Sequence, residues 1–264
     1  SFVEFKTEKR NLNIRTTDNF TLDAIYCSWK GSKRGVIFAH GMTVDKNDEG
    51  MFVRAEPKLN KLGFSTIRFD FRAHGKSSGD SIKDFTISGE IKDIEAVVKF
   101  MQSRGIDELG LAGASFGGSI AALYVGKHPS KIYKLFLANP VLNYSKSFLH
   151  PVTGWAIKTF VNLSDRLKRY GFIEVASRRF KMGKPLIVEM SKYNPCEVLT
   201  KYPGPLMIVH GDKDDKVDYN HVKACFNKLS NEQKEFILVK GSKHGFHDEP
   251  YETQVTNTIV DFFK

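Results

Sequence analysis

At 264 residues and 29.9 kDa, with 41% hydrophobic and 27% charged residues, the chain is long enough for one large α/β domain with a full core. No apolar stretch approaches the roughly 20 residues a membrane-spanning helix needs, and no nucleic-acid motif accompanies the net charge of +10, so neither a spanning helix nor a nucleic-acid partner is expected. Cys27, Cys196 and Cys225 are scattered without Cys-x-x-Cys spacing, which predicts reduced structural thiols rather than a disulfide or zinc framework. The stretch from Ser1 to Lys6 lacks a basic-then-apolar leader, so a cytoplasmic protein is expected, with processing left open by the absent Met. The charge is uneven. Between Asn143 and Gly204 there are eleven Lys/Arg against four Asp/Glu, which reads as a solvated basic surface or as a patch for an anionic substrate, cofactor tail or membrane surface.

In chain order, Phe2, Phe5, Leu12, Ile14, Phe20, Leu22 and Ile25 alternate as antiparallel strands do, with a turn at Thr17-Asp18-Asn19. Val36 to Ala39 is a continuous apolar run, as expected of a strand buried on both faces. It ends in His40-Gly41-Met42-Thr43, where a glycine lets the backbone approach a ligand and His40 reads as a hydrogen-bonded loop anchor rather than a base. A helix over Glu49–Leu62 and a strand over Phe64–Asp70 follow. In the next loop, Asp70 to Ser77, the Asp, Arg and His read as an ion-pair network bracing the loop. Ile87, Ile91, Ile94, Val97, Val98 and Met101 recur at helical spacing, giving a helix to about Arg104.

Leu109 to Ala112 then predicts a short buried strand and Ser119 to Val125 a helix. Between them lies Gly113-Ala114-Ser115-Phe116-Gly117. A G-x-S-x-G at a strand-to-helix junction is a nucleophile elbow, whose tight turn lifts the serine Oγ clear of the sheet. Small flanking residues are needed because a Cβ would strike neighbouring backbone, and the helix N-terminus offers free N–H groups to a developing oxyanion.

Another buried strand, Ile132 to Ala138, keeps the strand–helix alternation of a mostly parallel, two-sided sheet. From Leu142 to Lys201 the rhythm breaks. Trp155, Phe160, Leu163 and Leu167 predict an amphipathic helix, 172–175 with 178–182 a small hairpin, and Pro185 to Lys192 a further helical turn or two. Residues 142–201 therefore read as a cap over the C-terminal edge of the sheet, dividing the core into 1–141 and 202–264. Trp155, Tyr170, Phe172, Phe180 and Tyr193 are candidates to line its substrate pocket. The strand Leu206–Val209 leads into His210-Gly211-Asp212-Lys213-Asp214-Asp215-Lys216-Val217. Lysines alternate with these carboxylates and no closing Glu follows, so the loop reads as the source of a catalytic acid rather than a metal site. A helix through Val222, Cys225, Phe226 and Leu229, the strand Phe236–Val239, Lys243-His244-Gly245-Phe246 and a terminal helix through Tyr251, Val255, Ile259 and Phe262 complete the chain.

Ser115, an Asp near 214 and His244 thus follow successive strands in the order nucleophile, acid, base. With His40-Gly41, the Asp70–Gly75 loop, Gly113–Gly117, His210-Gly211-x-x-Asp214-x-x-Val217 and Lys243-His244-Gly245-Phe246, the whole chain resembles the α/β-hydrolase superfamily. Within it the chain resembles serine esterases of the cinnamoyl/feruloyl type, Ala73 being a departure from the Gly common in the Arg-x-His-Gly loop. The resemblance implies a mostly parallel eight-stranded sheet with a cap after the sixth strand. It implies Asp214 rather than Asp212 or Asp215 as acid, His244 as base with His247 second to it, and Met42 and Phe116 as oxyanion N–H donors. The expected activity is hydrolysis of a carboxylic ester, small and on charge grounds anionic, without cofactor or metal. An acyl thioesterase, a monoacylglycerol lipase and a serine aminopeptidase are the alternatives, with a non-catalytic binding protein last. Oligomeric state, a dimer included, stays open.

Overall fold

The computed structural model describes residues 7–264; the expected strand positions Phe2 and Phe5 lie outside them. Strands β1 (Glu8–Arg15) and β2 (Thr21–Ser28) pair antiparallel. In their turn Asn19 takes a positive φ of 69°, and Thr16 Oγ1 accepts the Phe20 N–H at 2.9 Å. Then follow β3 (Arg34–Ala39), α1 (Gly50–Lys61), β4 (Phe64–Phe69), α2 (Ile87–Ser103), β5 (Glu108–Ala114), α3 (Phe116–Lys127) and β6 (Lys134–Ala138). Beyond β6 come a π-helical turn (Ser145–Leu149), α4 (Gly154–Thr159), α5 (Leu163–Tyr170), an antiparallel hairpin of β7 (Phe172–Val175) and β8 (Phe180–Gly183), α6 (Lys184–Met190) and α7 (Pro195–Leu199). The chain closes with β9 (Leu206–Gly211), α8 (Tyr219–Lys228), β10 (Lys234–Val239) and α9 (Tyr251–Phe263).

Eight strands form one sheet in the order β1-β2-β4-β3-β5-β6-β9-β10, parallel from β4 to β10 with the β1–β2 hairpin added antiparallel at one edge. The apolar runs of β3 and β5 are continuous because each serves two cores. Val36, Phe38, Ala112 and Ala114 face α1 and α9, whereas Ile37, Ala39 and Leu111 face α2 and α3, as the two-residue period of a strand requires. Helix α3 is buried from Phe116 to Gly126, so it is apolar around its whole circumference. It is sandwiched between β5 and α7, and a Cβ on Gly126 would strike the Val198 carbonyl.

Two expectations need correction. The helix expected from Trp155 to Leu167 is broken: α4 ends at Thr159, Asn162 adopts the left-handed conformation (φ 53°), and Arg166 from α5 donates to the Thr159 and Val161 carbonyls at 2.7 and 3.1 Å. The guanidinium satisfies the carbonyls a helix end leaves free, so the break is stable. The second concerns the thiols. Cys196 in α7 and Cys225 in α8 form a disulfide with their Cα atoms 5.8 Å apart, leaving Cys27 as the free, buried cysteine. A separation of 29 residues without motif spacing carries no sequence signal; the pair meets because the chain, returning from α7 into β9, brings α7 beside α8. For two of the three cysteines the thiol-based argument for a reducing compartment therefore falls. Among the described residues no helix is long and apolar enough to cross a membrane.

Candidate active site

At the end of β5, Ser115 takes φ 52° and ψ −118°, a conformation costing about 1–3 kcal/mol for a non-glycine residue. Four backbone bonds hold it there: its N–H donates to Ala138 O at 2.9 Å, and its carbonyl accepts from Gly118 and Val141, each at 3.0 Å, and from Ser119 at 3.3 Å. The flanking glycines are steric necessities. A Cβ on Gly113 would lie 2.9 Å from Gly117 O, and one on Gly117 would run into the carbonyls of Ala39 and His40. Phe116 is the first residue of α3, so its N–H has no acceptor one turn back and faces outward at the helix end.

His244, on the loop after β10, places Nε2 3.0 Å from Ser115 Oγ and Nδ1 2.8 Å from Asp214 Oδ2. Its loop is anchored by the Gly245 N–H, which donates to Asn139 Oδ1 at 2.8 Å, and Asn139 sits at the end of β6 with φ 35°. The Asp214 side chain is fully buried. Its Oδ1 accepts the Lys216 and Val217 N–H groups, each at 2.9 Å, and its Oδ2 also lies 3.2 Å from His210 Nε2. Burial alone would raise this carboxyl, but the facing His244 and the hydrogen bonds from His210 and His244 outweigh it and hold the group below the ordinary aspartate range. Asp212 instead accepts the Gly241 N–H at 2.6 Å, and Asp215 is exposed. His247 is exposed at the cleft wall, without the Ser115 contact that His244 makes.

The loop after β3 lies against the elbow: a Cβ on Gly41 would be 3.3 Å from Ser115 Cβ, and the Gly41 N–H donates to the buried Glu49 carboxylate at 3.1 Å. Met42 follows and lines the same cleft as Ser115 and Phe116. His40 behaves as an anchor, its Nδ1–H donating to Gly41 O at 2.5 Å and its Nε2 accepting the Phe71 N–H at 3.0 Å. The neighbouring loop is braced by Arg72 on Asp18 and Asp93, and by Asp70 on Lys46. Burial pushes the His40 imidazole down to about 4, against an ordinary value of 6.5. Between pH 6.5 and 4 the unfolded chain therefore takes up a proton that the folded one refuses, and stability falls as the pH falls. His40 is expected to remove about 3 kcal/mol of stability between pH 7 and pH 4. Urea unfolding of His40→Asn across that range should lack this part of the acid loss, whereas equal slopes in both proteins would refute it. The buried His74, its ring 5.2 Å away, is common to both proteins.

The cleft above Ser115, about 890 Å³ including its open mouth, is walled by Phe148, Trp155 and Val175 from the inserted segment and by Val141 and Val217 from the core. Of the aromatic residues expected to line it, Trp155 does. Tyr170 is 57% exposed at the end of α5, Phe172 lies on the far side of its hairpin with the Lys181 ammonium 4.5 Å from its ring, and Tyr193 lines a separate groove with Asn143 and Tyr144. Phe180 is spent on the core, stacked on His74 at 4.7 Å. Sequence reasoning missed Asn139, Glu49, Lys216 and Arg178. Asn139 had a signal in its place at a strand end before Pro140, and Arg178 a diffuse one in the basic excess of residues 143–204; Glu49 and Lys216 had none.

A family model described as serine aminopeptidase, S33, matches residues 31–195. The human protein named serine hydrolase BPHL is 26% identical over 196 residues, covering 72% of this chain; the match spans just under two thirds of that protein, 66%. Mouse monoacylglycerol lipase ABHD6 is 24% identical over 263 residues, covering 88% of this chain and 76% of that one. In fold the chain is similar to Est1E from Butyrivibrio proteoclasticus, solved with ferulic acid bound, at a TM-score of 0.81 and 22% identity, covering 95% and 97% of the two chains. With the family model matched over more than half of its length, the chain belongs to the α/β-hydrolase superfamily, in the family described as serine aminopeptidase, S33.

Proposed function

We propose that the protein is a serine hydrolase of carboxylic esters, with Ser115 as nucleophile, His244 as general base and Asp214 as the residue that orients it. The observation that carries the reading is the unbroken relay from Ser115 Oγ through His244 Nε2 and Nδ1 to Asp214 Oδ2, at 3.0 and 2.8 Å. Ser115 Oγ attacks the ester carbonyl carbon as its proton passes to His244 Nε2. The tetrahedral oxyanion sits on the Met42 and Phe116 N–H groups, each such donor contributing about 3–4 kcal/mol. Collapse breaks the C–O bond, and His244 returns its proton to the leaving alcohol. A water molecule, deprotonated by the same ring, then releases the acid and regenerates Ser115.

Residues 142–201 act as the cap, supplying Trp155, Phe148 and Val175 to the acyl pocket. This aromatic and aliphatic wall supports a cinnamoyl/feruloyl-type or short-to-medium acyl group, a reading also supported by the likeness in fold to Est1E. The test is a hydrolysis panel of methyl ferulate, short and long nitrophenyl esters, a monoacylglycerol, an acyl-CoA and an aminoacyl anilide, each against the Ser115→Ala blank. The highest kcat/KM is expected on an aryl-acyl or short acyl ester. Leadership by the anilide or by the acyl-CoA would replace the ester reading with a peptidase or a thioesterase.

A further inference from the structure

Most cations inside this protein are matched. Lys46 lies 2.7 Å from Asp23 and 2.9 Å from Asp70, Arg68 lies 2.8 Å from Glu56, and Arg72 lies 2.8 Å from Asp18 and 2.9 Å from Asp93. Two cations at the cleft, the exposed Arg178 on its rim and the half-buried Lys216, depart from this pattern. Arg178 and Lys216 both line the cavity that holds Ser115 and His244, and among the described residues neither has a carboxylate within 4.0 Å.

They reach the cleft from different elements. Arg178 closes the short 3-10 turn between β7 and β8, beside the buried Val175. Lys216 belongs to the acid loop, its backbone N–H fixed on Asp214 Oδ1 at 2.9 Å. Its half-buried side chain puts Nζ 5.2 Å from the Trp155 ring, so the ammonium is held by a cation–π contact. The carboxylate that lines the cleft, Glu49, is buried, occupied by the Gly41 N–H, and pushed upward from its ordinary value by burial. The two cations therefore have no carboxylate partner among the described residues that line the cleft.

We infer that Arg178 and Lys216 form an anion subsite in the cleft, so that the preferred ester carries a carboxylate or a phosphate on the group seated there. This rests on the ester-hydrolase reading and deepens it. An arginine fork donates two N–H groups to a pair of oxygens on either group, and the ammonium adds a second, oriented charge.

The experiment compares kcat/KM within two matched pairs. 4-Nitrophenyl hemiglutarate against 4-nitrophenyl hexanoate tests an acyl-side carboxylate; an acylglycerol 3-phosphate against the monoacylglycerol of the same chain tests an alcohol-side phosphate. At low salt the anionic member of at least one pair should lead by about tenfold or more, and the lead should shrink with added NaCl. Arg178→Gln and Lys216→Gln should each lower the anionic-to-neutral ratio about tenfold, while Lys168→Gln, exposed on α5, should leave it unchanged. Because each ratio is internal to one protein preparation, a partly unfolded variant does not imitate the effect. A lead on the hemiester places the subsite on the acyl side, and a lead on the phosphate places it on the alcohol side; either supports the inference. Neutral esters hydrolysed above the Ser115→Ala blank, with ratios near one that the two Gln variants do not move, would overturn the anion subsite alone. No turnover of any ester above that blank would overturn the hydrolase reading and this inference with it.

Discussion

Replacing Ser115 with alanine is expected to lower kcat/KM on any hydrolysed ester by about 10⁴-fold or more, a loss of about 5 kcal/mol or more of transition-state stabilisation. The change deletes one oxygen, whose hydrogen-bond partner is His244 Nε2. The backbone at the elbow is held by other atoms: the Ser115 N–H on Ala138 O, and the Ser115 carbonyl beneath the Gly118 and Val141 N–H groups. Thermal stability should therefore stay close to wild type, which separates a chemical loss from a folding loss. What survives is the cleft and the two N–H groups proposed to hold the oxyanion, so the variant should still bind ester while forming no acyl-enzyme. Mass spectrometry after a fluorophosphonate should show a covalent adduct on the wild type and none on Ser115→Ala. A variant that keeps more than a tenth of wild-type activity, or still takes the label, would move the nucleophile elsewhere.

The parts of the site that were legible in sequence share a cause: each is enforced by backbone sterics or by the sheet. Gly113 and Gly117 have no room for a Cβ, so the elbow must be written with glycine. The uninterrupted apolar runs of β3, β5 and β9 follow from burial on both faces, and they put Ser115, Asp214 and His244 after β5, β9 and β10 in that order. The substrate wall was illegible because it depends on one local break. Trp155 lines the cleft, but Tyr170 and Phe172, aromatic candidates of the same cap, lie beyond the left-handed Asn162, where α5 and the hairpin after it turn them out of the cleft. Asn139 shows the intermediate case. Its place before Pro140 marked a strand end, while the long-range bond from the Gly245 N–H, 106 residues on, is set by the adjacency of loops at one edge of the sheet. The disulfide between Cys196 and Cys225 is likewise tertiary, and no spacing rule announces it.

Asp214→Asn should cost nearly as much as losing the nucleophile, about 10⁴-fold in kcat, although it changes neither size nor shape. The reason lies in what surrounds the carboxylate. Its Oδ1 takes two backbone N–H groups, from Lys216 and Val217, so an asparagine is compelled to place its oxygen there and its NH₂ toward His244 and His210. His244 Nδ1 must then accept rather than donate, which moves the ring proton to Nε2 and aims an N–H at Ser115 Oγ. A base that already holds the proton at that atom cannot take another. The same NH₂ opposes the His210 Nε2–H, which keeps the Val217 carbonyl at 3.0 Å but loses its contact with the carboxylate, so stability should fall by about 1–3 kcal/mol. The pH dependence follows from the sign of the aspartate's shift. A carboxyl held below its unfolded value contributes stability that is complete above about pH 3.8 and is lost as the pH falls below it. The asparagine variant should lack that loss and converge on the wild type at the acid end. Nitrogen-15 shifts of the His244 ring would report the tautomer directly. An Asp214→Asn variant within tenfold of wild type, with the proton still on Nδ1, would show that His244 is oriented by something other than Asp214.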